Sequence, residues 1–196
     1  MKCFPIILSS PSGGGKTTIA EKLLRGDKTL CRVVTATTRL PRKGEKDGRD
    51  YHFWTQKYFE SAIKNKKMME WAKVHVNYYG IPKSSFAIPM KEGKFPLLVI
   101  DVQGAKTVKK IYKDAVSIFI APPSLKVLHQ RIAARNDGTK NIEVRLKTAK
   151  KELKQIKNYD YTVINDVLEQ AVKDCRAIIL AEKLKTARKT DFKNLK

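Results

Sequence analysis

The sequence predicts an α/β fold in which a parallel β-sheet is flanked by helices. Three observations carry this expectation. Short apolar runs of strand length alternate with longer stretches of helical spacing, the pattern of strand–helix–strand crossovers. The first apolar run leads directly into Ser10-Pro11-Ser12-Gly13-Gly14-Gly15-Lys16-Thr17-Thr18, a glycine-rich turn that opens a helix pattern. The rhythm breaks once, from Thr35 to about Phe95, where Tyr, Trp, Gly and charge become frequent, so one inserted unit interrupts the core.

Taken in order, the core strands are expected over Phe4 to Ser9, Arg32 to Val34, Leu97 to Asp101, Val116 to Ala121 and Tyr161 to Ile164. Each is short, apolar and rich in branched or aromatic residues. Helical spacing is read over Thr17 to Leu24, Gly104 to Ile111, Leu125 to Arg135, Ile142 to Asn158 and Val167 to Leu184. Turn formers from Asn136 to Asn141 separate two Arg-bearing helices and are expected to form the tip of a small lid. The expected organisation is a core of residues 1–34, 96–125 and 158–196, an inserted subdomain of 35–95, and a lid with flanking helices at 126–157. The tail from Lys185 has little apolar periodicity, and no internal repeat is visible.

Composition narrows the function classes. The chain has 196 residues, 42% hydrophobic and 31% charged, enough for a medium domain with a real core. Its 41 Lys and Arg exceed its 19 Asp and Glu by 22, a balance that favours anionic partners. No apolar run approaches the roughly 20 residues of a membrane-spanning helix, and the apolar start is short, holds Pro5 and runs into glycines, so no membrane association is expected. Cys3, Cys31 and Cys175 show neither disulfide-framework nor zinc spacing, which fits a cytoplasmic location.

The glycine-rich turn is the most informative segment. In a strand–loop–helix setting its backbone N–H groups converge on an anion, and the helix dipole favours negative charge there. Ser12, Gly13, Gly14 and Gly15 let the main chain approach phosphate, Lys16 reaches the outer phosphates, and the hydroxyls of Thr17 and Thr18 follow, Thr17 being typed to ligate Mg²⁺. The fold is therefore expected to be P-loop NTPase-like. Ser10 stands where the motif usually begins with Gly; a chance Gly-rich turn is the alternative. Asp101 closes an apolar stretch, where a carboxylate holds Mg²⁺ through water in this class of enzyme or simply caps the next helix.

The insertion and its surroundings then supply an ordered set: Thr35-Ala36-Thr37-Thr38-Arg39-Leu40-Pro41-Arg42, Gly44-Glu45, Asp50-Tyr51-His52-Phe53, Glu70-Trp71-Ala72, Asn77-Tyr78-Tyr79-Gly80, Asp101-Val102-Gln103-Gly104 and Phe119-Ile120-Ala121-Pro122-Pro123-Ser124. With the loop, this set resembles the guanylate kinase family over Phe4 to about Leu184. The resemblance implies a nucleoside monophosphate kinase that moves the γ-phosphoryl of ATP to GMP with Mg²⁺, giving ADP and GDP, and makes 35–95 the GMP-binding subdomain.

By that resemblance Arg39, Arg42, Tyr51 and Tyr79 hold the GMP phosphate, which suits guanidinium and phenol donors. Glu70 accepts from guanine N1–H and the 2-amino group, donors that adenine lacks; its alternative is a solvated helix charge beside Lys73. Thr35 faces the base, and Asp101 serves both the acceptor side and the metal, with Thr17. Arg131 and Arg135, four apart on one helix face, and Arg145 on the next, act with Lys16 and Arg39 on the charge of the moving phosphoryl. Asn165 matches a position near the adenine of ATP, or else caps the last helix. Where the family usually has Ser or Thr against guanine O6, this chain has Ile81, so Thr35, a backbone N–H or water must substitute.

Three other readings are weighed. A non-catalytic binding module of the same fold typically loses the loop or its lysine, and here Lys16, Thr17, Arg39, Arg42, Glu70 and Asp101 all stand. Ile81 motivates a different phosphorylated acceptor. Nucleic-acid binding has only net charge in its favour, since the lysines are spread along the chain without a reading motif or aromatic platform, so no specific nucleic acid is expected. Monomer and homo-oligomer both remain open.

Overall fold

A computed structural model describes residues 2–74, 76–134 and 142–188. In chain order the elements are β1 (Ile6–Ser9), α1 (Lys16–Gly26), β2 (Leu30–Arg32), β3 (Ala36–Thr37), β4 (His52–Phe53), α2 (Gln56–Lys64), β5 (Met68–Val74), β6 (Asn77–Pro82), α3 (Lys83–Lys91), β7 (Phe95–Val99), α4 (Val102–Ile111), β8 (Val116–Ala121), α5 (Leu125–Ala133), α6 (Ile142–Leu153), β9 (Tyr161–Ile164) and α7 (Leu168–Leu184). The α/β expectation holds. Five strands form one wholly parallel sheet in the order β2-β7-β1-β8-β9, with Ile6 opposite both Leu97 and Val116.

β1 is central and buried at every position, as an interior parallel strand with helices on both faces must be. One face packs Ile6, Leu8, Leu97, Ile118 and Ile120 against Ile19 and Leu23 of α1 and Val172, Cys175 and Ile179 of α7. The other face packs Ile7 and Leu98 against Ala105 and Val108 of α4 and Phe86 of α3. At roughly 1.5–3 kcal/mol per fully buried large aliphatic side chain, these two layers supply most of what holds the central strands in register. Cys175 lies in the first layer, where burial pushes its thiol up to about 12 and leaves it unreactive at neutral pH.

Residues 36–82 contribute the second sheet, ordered β4-β3-β6-β5, with β6 antiparallel to both β3 and β5. Its own small core is Ala36, Phe59, Ala62 and Met68, closed by stacked Phe59 and Tyr78 rings 5.3 Å apart. Ile81 and partly buried Met69 leave this sheet to join the Ile7–Leu98 layer, so the two sheets share packing beneath the cleft that separates them.

Two local expectations and one alternative reading are corrected. Asp101 does not end a strand: β7 stops at Val99, and Asp101 is the N-cap of α4, where its Oδ1 accepts from the backbone N–H groups of Gln103 and Gly104 at 2.9 Å. Such a cap stabilises a helix by about 1 kcal/mol. Glu70 lies in strand β5 rather than on a helix. The long helix expected from Ile142 stops at Leu153, and a 3-10 turn at Ile156–Asn158 leads into β9.

Candidate active site

The loop between β1 and α1 is built by backbone conformations that side chains would obstruct. Gly13 and Gly15 have φ of +86° and +94°. A Cβ on Gly15 would lie 2.2 Å from Nδ2 of Asn165, and one on Gly14 would lie 2.7 Å from Cβ of Ser10. The last contact explains Ser10. Its φ is not positive, so glycine is not needed there, and its buried side chain fills the space under Gly14 while Oγ donates to the Pro11 carbonyl at 2.9 Å. Gly15→Ala combines a left-handed backbone with a clash against a buried, hydrogen-bonded amide. We expect it to destabilise the fold by about 2–4 kcal/mol and to abolish nucleotide binding, measured by urea unfolding and calorimetry.

Asn165 neither caps α7, whose N-cap is Val167, nor presents an open amide. It is buried, and its Nδ2 donates to the Gly14 carbonyl at 2.9 Å. Arg131 donates from Nη1 to the Asn165 carbonyl at 3.0 Å. From α6, Arg145 donates from Nη2 to Ser12 Oγ at 2.9 Å. Arg131 and Arg145 are thus both brought to the loop, one through Asn165 and one directly. Arg135 lies outside the described residues.

Two cavities adjoin at Ser12, Lys16 and Tyr51, which line both. The smaller, about 300 Å³, lies under the second sheet and is bounded by Thr35, Glu70, Tyr79 and Asp101, with Gly104 at its floor. Side-chain room there is limited: a Cβ on Gly104 would come within 3.4 Å of Glu70 Oε1. Burial, and then the charge of Asp101, push the Glu70 carboxyl up to about 7. The larger cavity, about 540 Å³, runs along the loop past Thr17 and Thr18 and is walled by basic residues, Arg39 and Arg42 among them.

Arg39 makes a two-pronged pair with Glu45, Nη1 to Oε2 at 2.6 Å and Nη2 to Oε1 at 2.7 Å, and its guanidinium sits 5.0 Å from the centre of the Tyr51 ring. The Arg39 guanidinium holds the Glu45 carboxyl below its usual range, and burial pushes the Tyr51 phenol up. Tyr51 and Tyr79 face each other edge to face at 6.4 Å. For a cation, the donor set suits Mg²⁺ shared with phosphate rather than an all-protein cage. Among the described residues no three acidic or imidazole groups converge, Asp101 uses only Oδ1 for its cap, and Thr17 lines the phosphate-side cavity.

The family model described as "Guanylate kinase" matches residues 2–182. The chain belongs to the guanylate kinase family. It is 46% identical over 184 residues to the guanylate kinase of Clostridium perfringens (strain SM101 / Type A), covering 93% of this chain and 85% of that protein. It is 43% identical over 181 residues to the guanylate kinase of Rickettsia felis, covering 92% and 94%. Among solved structures, the guanylate kinase of Anaplasma phagocytophilum superposes with a TM-score of 0.81 at 35% identity, over 96% of this chain and 90% of that one.

The departure at Ile81 has a structural reason. Ile81 is wholly buried in the layer with Ile7 and Leu98. Its side chain serves the core, and Thr35 lines the smaller cavity with Ser12, Tyr51 and Tyr79. Arg32, Arg49 and Glu152 are among the site residues that sequence reasoning missed. Arg32 and Arg49 line the larger cavity, and Arg32 Nε is buried without a protein partner among the described residues. Glu152 of α6 also lines it. Burial pushes its carboxyl above the ordinary range, its carboxylate feels Lys16 and accepts from the Ser12 backbone N–H, and its Oε2 has no partner among the described residues. An isolated Glu amid lysines on a helix carries no local signal of that placement.

Proposed function

We infer that the chain transfers the γ-phosphoryl group of ATP to GMP, giving ADP and GDP. The observation that carries this reading is the shared border of the two cavities: a carboxylate-lined pocket sized for a base meets a basic basin under a phosphate loop at Lys16. In the proposed complex, ATP lies along Ser12 to Thr18, its phosphates held by backbone N–H groups and Lys16. The acceptor guanine stacks into the Thr35–Glu70 pocket, where ionised Glu70 accepts from N1–H and the 2-amino group. Arg39, Arg42, Tyr51 and Tyr79 receive its phosphate, and Arg39 then divides its donors between Glu45 and the ligand.

The transferred group forms a bond to a phosphate oxygen of GMP as its bond to the bridging oxygen of ADP breaks. The acceptor oxygen is already anionic, so no proton need be removed, and catalysis reduces to alignment and charge neutralisation. Mg²⁺ bound with Thr17 and, through water, Asp101 would supply further neutralisation of the phosphates. Lys16, Arg39, Arg131, Arg145 and Arg135 are the cations assigned to the reacting charge, and Asn165 is assigned to hold the loop and its nucleotide. The three cysteines are free, the form a reducing cytoplasm maintains, and that is where we place the reaction.

A panel of nucleoside monophosphates with ATP and Mg²⁺ tests the assignment. GMP should be turned over with a kcat/KM at least ~10³-fold above AMP; equal use of the two would overturn it. Arg131→Ala should lower kcat by roughly 10²-fold while the KM for GMP changes little, because its contact lies on the loop side of the site. An unchanged kcat in steady-state assays removes Arg131 from the mechanism.

A further inference from the structure

We propose that the groove between α4 and the 3-10 turn before β9 is a second binding site, specific for a nucleoside polyphosphate and separate from the catalytic cleft. The groove is a cavity of about 400 Å³, within the size range of small-ligand sites. Lys106, Lys109, Lys110 and Lys113 line one side of it. Lys106, Lys109 and Lys110 lie on one face of α4, at spacings of three and four, and Lys113 lines the groove just past the helix end at Ile111; Lys106 and Lys110 are about 6 Å apart along the helix. At physiological salt that distance is within one screening length, so their fields overlap.

The four are not equivalent. Lys109 is fixed: its Nζ donates to the Ala115 carbonyl at 2.6 Å and pairs with Asp160, which also accepts from the Ser117 N–H and hydroxyl at 2.8 Å. Lys106, Lys110 and Lys113 are exposed, and no carboxylate pairs with them among the described residues. Lys106 and Lys110, four apart on α4, repel one another, and Lys113 adds a third like charge just past the helix end. A multivalent anion lying across them would remove that repulsion.

The rest of the lining selects the class of anion. Val102 and Ala105 give an apolar floor, Tyr159 lines the groove, and the amides of Gln155 and Asn158 offer donors and acceptors at its rim. An apolar floor with a few polar groups and a cationic wall matches a base and ribose followed by a phosphate chain. The bounded volume fits a single nucleotide better than a strand of nucleic acid. The site also has a route to the catalytic cleft. The N-cap of α4 is Asp101, its Gly104 floors the base pocket, and the 3-10 turn is continuous with the segment after Glu152.

The test counts ADP equivalents by equilibrium dialysis at 0.15 M salt, roughly the physiological ionic strength. The wild type should bind two. K106E/K110E/K113E should bind one and keep its basal kcat, and the uncharged K106Q/K110Q/K113Q should show the same loss. Lys16→Ala should keep the groove equivalent, and this background makes the readout independent of the proposed reaction. A control, K57E/K64E on α2, should keep both. Inorganic tripolyphosphate should occupy the groove more weakly than ADP. A single equivalent in the wild type, a second one that survives the α4 substitutions, or one lost in the control overturns the proposal. Tripolyphosphate binding as tightly as ADP, or a single-stranded oligonucleotide outcompeting it, overturns the nucleotide assignment.

Discussion

Lys16→Ala lowers kcat by roughly 10³-fold or more, the scale of losing a charged group that acts on a moving phosphoryl. Lys16 is where the two cavities meet, at the first residue of α1, so its ammonium and the helix N-terminus act on the same point. Among the described residues no other lysine lines both cavities. Arg32, Arg39, Arg42 and Arg49 stand on the larger one only. Lys16→Arg should not restore the rate, because a planar fork cannot occupy the place of a compact ammonium inside a loop closed by Ser10 and Asn165. The substitution also deprives half-buried Glu152 of the positive charge that favours its ionised form. Single-turnover assays at saturating ATP and GMP check the prediction, and a kcat within tenfold of wild type would refute it.

Glu70→Gln produces the second large effect, in two opposite directions. Turnover of GMP falls roughly 10³-fold in kcat/KM, since two hydrogen bonds to a charged acceptor become one at best, while the poor turnover of AMP changes little. The fold gains stability. With its carboxyl raised to about 7 by burial and Asp101, folded Glu70 keeps a proton that the unfolded chain has already released above the ordinary carboxyl range. Stability is therefore full below that range and declines as pH rises through about 7, by at most ~3 kcal/mol. Glu70→Gln removes this decline, so its advantage in melting temperature over wild type is absent near pH 5 and largest near pH 8. For the same reason the wild-type kcat/KM for GMP falls as pH drops through about 7, because the protonated carboxyl no longer accepts from both guanine donors. A wild-type profile flat across that window, or an unchanged preference for GMP in Glu70→Gln, would separate Glu70 from base recognition.

The central strands and the phosphate loop were legible because their determinants are local. The apolar runs at Ile6, Leu97, Val116 and Tyr161 are strand-length, those at Ile6 and Val116 are buried at every position, and the glycines at 13 and 15 encode backbone angles directly. The insertion was legible only as an interruption. Its strands β3 and β4 are two residues long, too short for a period to register, and they exist because β6 and the Phe59–Tyr78 stack hold them. Asp101 shows the limit at a single residue: a carboxylate after an apolar run reads equally as strand end or helix cap, and the ladder's end at Val99 decides it.

Residue types and their order by themselves determined that this chain is a parallel α/β protein with a phosphate loop and the motif set of a guanylate kinase. Tertiary structure alone decided that Ser10 completes the loop by filling space under Gly14, and that Asn165 clamps the loop instead of capping a helix. It alone turned Ile81 into the core, brought Glu152 against Ser12, and stacked part of the excess lysine on one wall of a groove. Loops and strands follow from neighbours along the chain. What Asn165 and Glu152 face, Gly14 and Ser12, lies more than a hundred residues away along the chain, and only the packed fold brings those segments together.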